Sequence, residues 1–247
     1  MQTVNYGNKW SEDETILAFF YYCKIPFGKI GKTHPEIIRL AGLLGRTPSS
    51  VVLKMGNLAH FDPDQRLRNI TGLKNASKTD KEVVSRFFSN WEDLTVIAEQ
   101  IEAKLSQTDE LLLPGLTVDA TVKQRVNQQF FRDAVLSSYQ GRCCITGINE
   151  PSLLIASHIK PWKDSDPFTE RTNPSNGLCL NALHDRAFDQ GLITVLPDYT
   201  VRVSSKIKKM ENGGILLHSN MQKIALPDRF APKREFLEYH NDVIFIP

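Results

Sequence analysis

Leu153 to Gly191, LLIASHIKPWKDSDPFTERTNPSNGLCLNALHDRAFDQG, is the stretch that decides how the second half of this chain folds. Leu153 to Ile159 is an apolar run of strand length with one histidine, His158, near its end, and Pro161 stops it. Polar residues follow through Ser175. Asn176-Gly177 then marks a turn, Leu178-Cys179-Leu180 gives a second short apolar segment, and a helix is predicted from about Asn181 to Asp189. Strand, loop, strand, helix is a ββα unit. In such a unit a histidine on the first strand, an asparagine on the loop and a polar ligand on the helix can converge on one point, where a phosphodiester could be held.

On the N-terminal side of this unit, Val122 to Tyr139 reads as a helix that leads into Gly141-Arg142-Cys143. On its C-terminal side, Leu192 to Val195 and Thr200 to Val203 read as a hairpin over Pro197-Asp198, and Pro232 to His240 as a closing helix. Lys206, Lys208 and Lys209 form a basic cluster, read as a solvated turn.

The first sixty residues have a different texture. Ser11 and Glu14 form a capping box ahead of the apolar run Ile16 to Tyr22. Pro35 suits the first turn of a second helix, with Ile37, Ile38, Ala41 and Leu44 on one side and Gly45 as its stop. Thr47 and Pro48 open a third helix, with Val51, Val52, Met55 and Leu58 turned inward and Ser49, Ser50, Lys54 and Asn57 outward. Helix, glycine turn, helix is the layout of a helix-turn-helix DNA reader. The outward set, with Arg46 and Lys32 nearby, suits contacts to phosphates and base edges. The polar stretch Asn69 to Ser77 predicts a joint, with a boundary near 75. Lys78 to Leu105 is expected to be one long connecting helix, and Leu111-Leu112-Leu113-Pro114-Gly115 breaks its pattern.

Composition narrows the class. The chain has 247 residues, 41% hydrophobic and 23% charged, which favours two folded domains over disorder or a fibre. A net charge of +2 is too small to identify a partner by charge alone. No apolar run approaches the roughly 18 residues of a membrane span, and the N-terminus lacks the apolar core of a signal peptide, so a cytoplasmic protein is expected. Cys23, Cys143, Cys144 and Cys179 make no Cys-x-x-Cys pair, so reduced thiols and no structural zinc are expected.

Several motifs in the second half together resemble the HNH endonuclease family, in particular its restriction-enzyme branch. They are Arg142-Cys143, Thr146-Gly147, Ala156-Ser157-His158-Ile159-Lys160-Pro161-Trp162, Asn176-Gly177 and Phe188-Asp189. The resemblance spans about residues 124 to 245. It implies that His158 deprotonates water and that Asn176 fixes the active-site loop. It further implies one divalent cation, Mg²⁺ with Mn²⁺ as substitute, and products with 5′-phosphate and 3′-hydroxyl ends. Ser157 stands where many members carry an Asp or His ligand. The helix position that commonly bears the ligand histidine, three residues before the Phe, is Asp185, with His184 beside it. Ser157, His184 and Asp185 are therefore the metal candidates, with His184 slightly preferred.

The expected protein is α+β: a helical, helix-turn-helix-like DNA-binding domain at 1–75, a helical linker at 76–120, and a ββα-metal HNH nuclease domain at 121–247. Double-stranded DNA is the expected substrate, with Arg46, Ser49, Ser50, Lys54, Asn57, Lys160 and Arg186 as its contacts, and a homodimer acting in restriction, with modified DNA as one candidate target, as the working form. A nicking or mobile-element endonuclease, and a DNA-binding protein that has lost catalysis, are the alternatives.

Overall fold

The computed structural model describes residues 5, 7–70, 76–106, 120–210 and 213–247. The expected boundary near 75 and the Leu111 to Gly115 break lie outside these residues. Chain contacts define two compact units, 1–133 and 134–247, with the division falling inside one helix. The described residues form a mixture of helices and two small antiparallel sheets.

The first unit is built around α1 (Glu12–Lys24). Ser11 caps it through the predicted capping box with Glu14, and every residue from Thr15 to Cys23 is buried. A helix apolar on all sides has to sit inside a ring of other helices. Here α2 (Pro35–Leu43), α3 (Pro48–Ala59), α5 (Lys78–Phe87) and α6 (Trp91–Ser106) pack on it, and the short α4 (Pro63–Leu67) follows α3. Each buried Leu, Ile or Phe contributes roughly 1.5–3 kcal/mol, so packing rather than propensity holds α1. Gly45 takes the left-handed conformation (φ 61°) after α2, and Thr47 caps α3 through the Ser50 amide.

Two expectations in this unit need correction. The helix predicted over Lys78 to Leu105 is two helices, because the Asn90 side chain accepts from the Asp93 amide and starts α6 afresh. The apolar spacing runs through the break because Phe87 and Trp91, on either side of it, are both buried. The outward face of α3 also differs. Val52 is half-buried and Leu53 is 56% exposed, whereas Lys54 is only 4% exposed.

The division between units falls inside α7 (Ala120–Ser138). The second unit opens with the end of that helix. It then forms the hairpin of β1 (Leu154–His158) and β2 (Gly177–Asn181), whose register runs from Leu154 opposite Asn181 to His158 opposite Gly177. Helix α8 (Ala182–Asp189) packs against both strands. The second hairpin, β3 (Ile193–Val195) and β4 (Val201–Val203), forms where the sequence predicts it. Short helices α9 (Ser205–Lys208) and α10 (Gly214–Leu217) follow, then α11 (Arg234–Tyr239), which runs into a π-helical turn, His240–Ile244. No helix of the described residues is long and apolar enough to cross a membrane.

Candidate active site

The loop between β1 and β2 is long, and its backbone polar groups are satisfied largely by its own side chains. Asn176 is fully buried. Its Oδ1 accepts from the Lys160 amide at 2.8 Å, and its Nδ2 faces the Lys160 carbonyl (3.1 Å), Ser165 Oγ (3.3 Å) and the Glu170 carbonyl (3.3 Å). Arg171 Nε donates to the carbonyls of Trp162 and Ser165, both at 3.1 Å. The Lys160 ammonium lies 2.6 Å from Glu170 Oε2 and over the ring of Tyr239.

This clamped loop orients His158. Its Nε2 lies 2.9 Å from the Arg171 carbonyl. A carbonyl only accepts, so Nε2 carries the proton and the lone pair sits on Nδ1, which is the tautomer a general base requires. Burial lowers the His158 pKa below its ordinary value, against the opposing pull of the Arg171 carbonyl, so the neutral ring is favoured. Trp162 meets the His158 ring edge-on at 5.6 Å and carries the Arg171 guanidinium over its face.

His158 opens into a cavity of about 490 Å³ whose walls include Ser157, Trp162 and Lys163 from the β1 side, Asp185 and Asp189 from α8, and His240 and Ile244 from the C-terminal turn. Asp185 and Asp189 are four residues apart and therefore share a face of α8. Burial raises the Asp185 pKa, with Ser157 and Arg186 opposing it. Burial and then the Asp185 charge raise that of Asp189, with Arg186 opposing. Ser157 is 3% exposed, and its hydroxyl has no partner at full hydrogen-bond geometry, although it lies near enough to Asp185 to stabilise the carboxylate.

The three ligand candidates are separated by this geometry: Ser157 and Asp185 line the cavity, and His184, whose Nε2 is buried without a partner, does not. His184 is 1% exposed and forms no part of the cavity wall. Asn181, the cap of α8, accepts from the Leu183 and His184 amides and lies 3.1 Å from His184 Nδ1, which turns the ring inward. Asp185 is the residue that joins His158 and Ser157. Asp189, named in the sequence only within the Phe188-Asp189 motif, belongs to the same wall, and its i,i+4 spacing from Asp185 was the available signal. For His240 and Ile244 the sequence carried no signal.

The expected DNA contacts also divide. Arg46 is 6% exposed, bound through Nε and Nη2 to Glu14 at 2.7 and 2.8 Å, and stacked over Trp10. Burial alone would raise the Glu14 carboxyl pKa, but Arg46 holds it below its ordinary value. Lys54 is ion-paired with buried Asp80. Both cations are therefore parts of the first unit's interior, and their assignment to DNA is corrected on that ground. Lys160 is likewise committed to Glu170. Arg186 and Ser49 are exposed, while Ser50 and Asn57 are half-buried.

Cys143, Thr146 and Gly147 of the motifs are structural. Asn181 Nδ2 donates to Thr146 Oγ1 at 3.0 Å and lies 3.6 Å from Cys143 Sγ, which ties the 143–147 turn to the start of α8. Gly147 takes φ 73° in that turn. The cysteines are buried and unbridged.

Asn176→Ala is expected to leave the Lys160 amide without its acceptor, at a cost of about 1–3 kcal/mol, and to loosen the segment that carries His158. Thermal unfolding should show a lower Tm together with reduced cleavage. Asn176→Asp, which keeps only the acceptor, should fall between.

No curated protein matches the chain. Residues 143–196 match the family model described as HNH endonuclease. The matched segment contains β1, the Asn176 loop, β2 and α8 entire, and the family implies nuclease activity on nucleic acid. Residues 143–196, which hold the ββα unit, are thus similar to the HNH endonuclease family.

Proposed function

We propose that this protein is a metal-dependent endonuclease that hydrolyses phosphodiester bonds of double-stranded DNA, with His158 as general base. The observation that carries the reading is the joint placement of a neutral imidazole, anchored through Nε2 by the Arg171 carbonyl, and the Asp185 and Asp189 carboxylates in one cavity.

The donor set fits a hard divalent cation. Two carboxylates on one helix face, both with raised pKa and one at the helix C-terminus where negative charge is disfavoured, are relieved by a cation between them. Ser157 adds a buried hydroxyl beside the Asp185 carboxylate. Among the described residues no three His, Cys, Asp or Glu side chains converge into a cage. That suits Mg²⁺, which is commonly held by one or two carboxylates and completes its octahedron with water and substrate phosphate. Asp185, with Asp189 and Ser157 beside it, would hold the ion. When bound, it supplies positive charge to the scissile phosphate and the departing oxygen.

The chain's own residues do the rest. His158 Nδ1 takes the proton of a water molecule as its oxygen attacks phosphorus, the bond to the 3′-oxygen breaks, and that oxygen takes a proton from solvent, which leaves 5′-phosphate and 3′-hydroxyl ends. Asn176 and Glu170 keep the loop that orients His158 closed. Lys163, exposed at the cavity rim, and Arg186 beside the carboxylates are placed to meet DNA phosphates.

Restriction of foreign DNA by a homodimer is the biological role we propose. The first unit acts as target reader through α2, Gly45 and α3, with Ser49 outermost and Ser50 and Asn57 beside it. Incubation with modified phage DNA and with unmodified plasmid tests this role. Double-strand breaks with a preference between the two substrates support it, and single-strand nicks alone favour a nicking endonuclease.

A further inference from the structure

The C-terminal turn does more than close the second unit. His240, the first residue of the π-helical turn, is 1% exposed. Its ring stacks on Phe188 with centroids 3.7 Å apart and planes 12° from parallel. Its Nε2 lies 3.2 Å from the Phe188 carbonyl, and its Nδ1 lies 2.8 Å from Thr194 Oγ1 on β3. Nε2 therefore donates to Phe188 and Nδ1 accepts from Thr194, a division of roles that only a neutral ring can make. Burial pushes the His240 pKa down to about 4, the Phe188 bond opposing, so the ring is neutral in ordinary buffers.

The same strap grips the other side of Asp189. Ile246 donates its amide to the Gly191 carbonyl at 2.9 Å. Gly191 has φ 66°, and a Cβ there would stand 2.1 Å from the Ile244 carbonyl oxygen. Only glycine admits this approach. The chain is thus held at Phe188 and at Gly191, one residue before and two after Asp189. Asn241 adds a donor to the Val195 carbonyl at 2.8 Å, which fixes the turn to β3.

We propose that His240 is a positioning residue for the nuclease site: through the Phe188 carbonyl it sets the last turn of α8, and so the placement of the Asp185 and Asp189 carboxylates that take the divalent cation. The inference rests on the metal site put forward under Proposed function. Groups that orient metal-binding side chains from behind typically change metal affinity by about 10- to 100-fold when removed.

The test is Mn²⁺ binding by the full-length protein, read by calorimetry without DNA, together with kcat and KM for plasmid cleavage. His240→Phe keeps the stacked ring and loses both hydrogen bonds. It is expected to bind Mn²⁺ about 10- to 100-fold more weakly and to lose kcat with little change in KM. His240→Gln, which keeps a donor for the Phe188 carbonyl, should recover most of that loss. Gly191→Ala, which displaces the strap and leaves His240 intact, should weaken Mn²⁺ binding in the same direction and decides the matter if His240→Phe does not fold. Wild-type Mn²⁺ affinity and kcat in folded His240→Phe, or in Gly191→Ala, would overturn the inference even with a lowered Tm. Failure of the underlying site looks different: either wild type binds no Mn²⁺, or Asp185→Asn binds it as tightly as wild type.

Discussion

His158→Ala is expected to slow DNA cleavage by about 10²–10⁴-fold, the usual contribution of a positioned general base. That range corresponds to about 2.7–5.4 kcal/mol of barrier. The same change removes the hydrogen bond from Nε2 to the Arg171 carbonyl, at a cost of about 1–3 kcal/mol of stability. Activity should therefore fall far more than Tm. His158→Gln sharpens the test, because its amide can still donate to Arg171 but offers no base, and it should be as inactive as the alanine variant. The pH profile carries the same assignment. Burial lowers the His158 pKa from 6.5, so the neutral base persists on the acid side. As pH falls, the acid limb of cleavage should be centred below 6.5, where the ring protonates at its lowered pKa. An acid limb centred at or above 6.5 would remove His158 from the role.

Asp185→Asn and His184→Ala are expected to separate cleanly. Asp185→Asn changes no shape, removes a carboxylate from the cation site, and should lower cleavage on the order of 10³-fold with loss of Mn²⁺ binding. Its Tm should be unchanged or raised, since Asp185 and Asp189 repel each other. His184→Ala empties a buried position and breaks the contact to Asn181, so it should cost about 1–3 kcal/mol of stability and leave Mn²⁺ binding in place. Tm and Mn²⁺ titration on the two proteins check this directly. Loss of binding in His184→Ala together with its retention in Asp185→Asn would return the ligand role to the histidine.

The ββα unit was legible because strand, turn and helix signals are local. Leu154 to His158 is a short apolar run, Asn176-Gly177 stands where the second strand begins, and α8 starts two residues after Leu180. The choice between His184 and Asp185 was not legible. Adjacent helix residues point about 100° apart, and only the absolute rotation of α8 says which one faces His158. That rotation is set by contacts from distant chain, with Asn181 and the 143–147 turn at one end of the helix and His240 and Gly191 at the other. The reading of α3 failed for a related reason. Lys54 and Arg46 look like outward cations within their own segment, but their partners Asp80, Glu14 and Trp10 come from elsewhere in the chain and turn them into interior ion pairs. Capping signals, by contrast, depend on residues within one turn. Ser11 with Glu14, Thr47 and Gly45 all behave as the sequence predicts.

The central claim is that the cavity around His158 and Asp185 cuts DNA with a divalent cation. Its most direct test is cleavage of supercoiled plasmid by the purified full-length protein in Mg²⁺ or Mn²⁺, with EDTA and His158→Gln run in parallel. Wild type is expected to give nicked or linear product in either metal, and none with EDTA; the variant is expected to give none. Intact plasmid under every condition, or cleavage that survives both EDTA and the loss of His158, would contradict it.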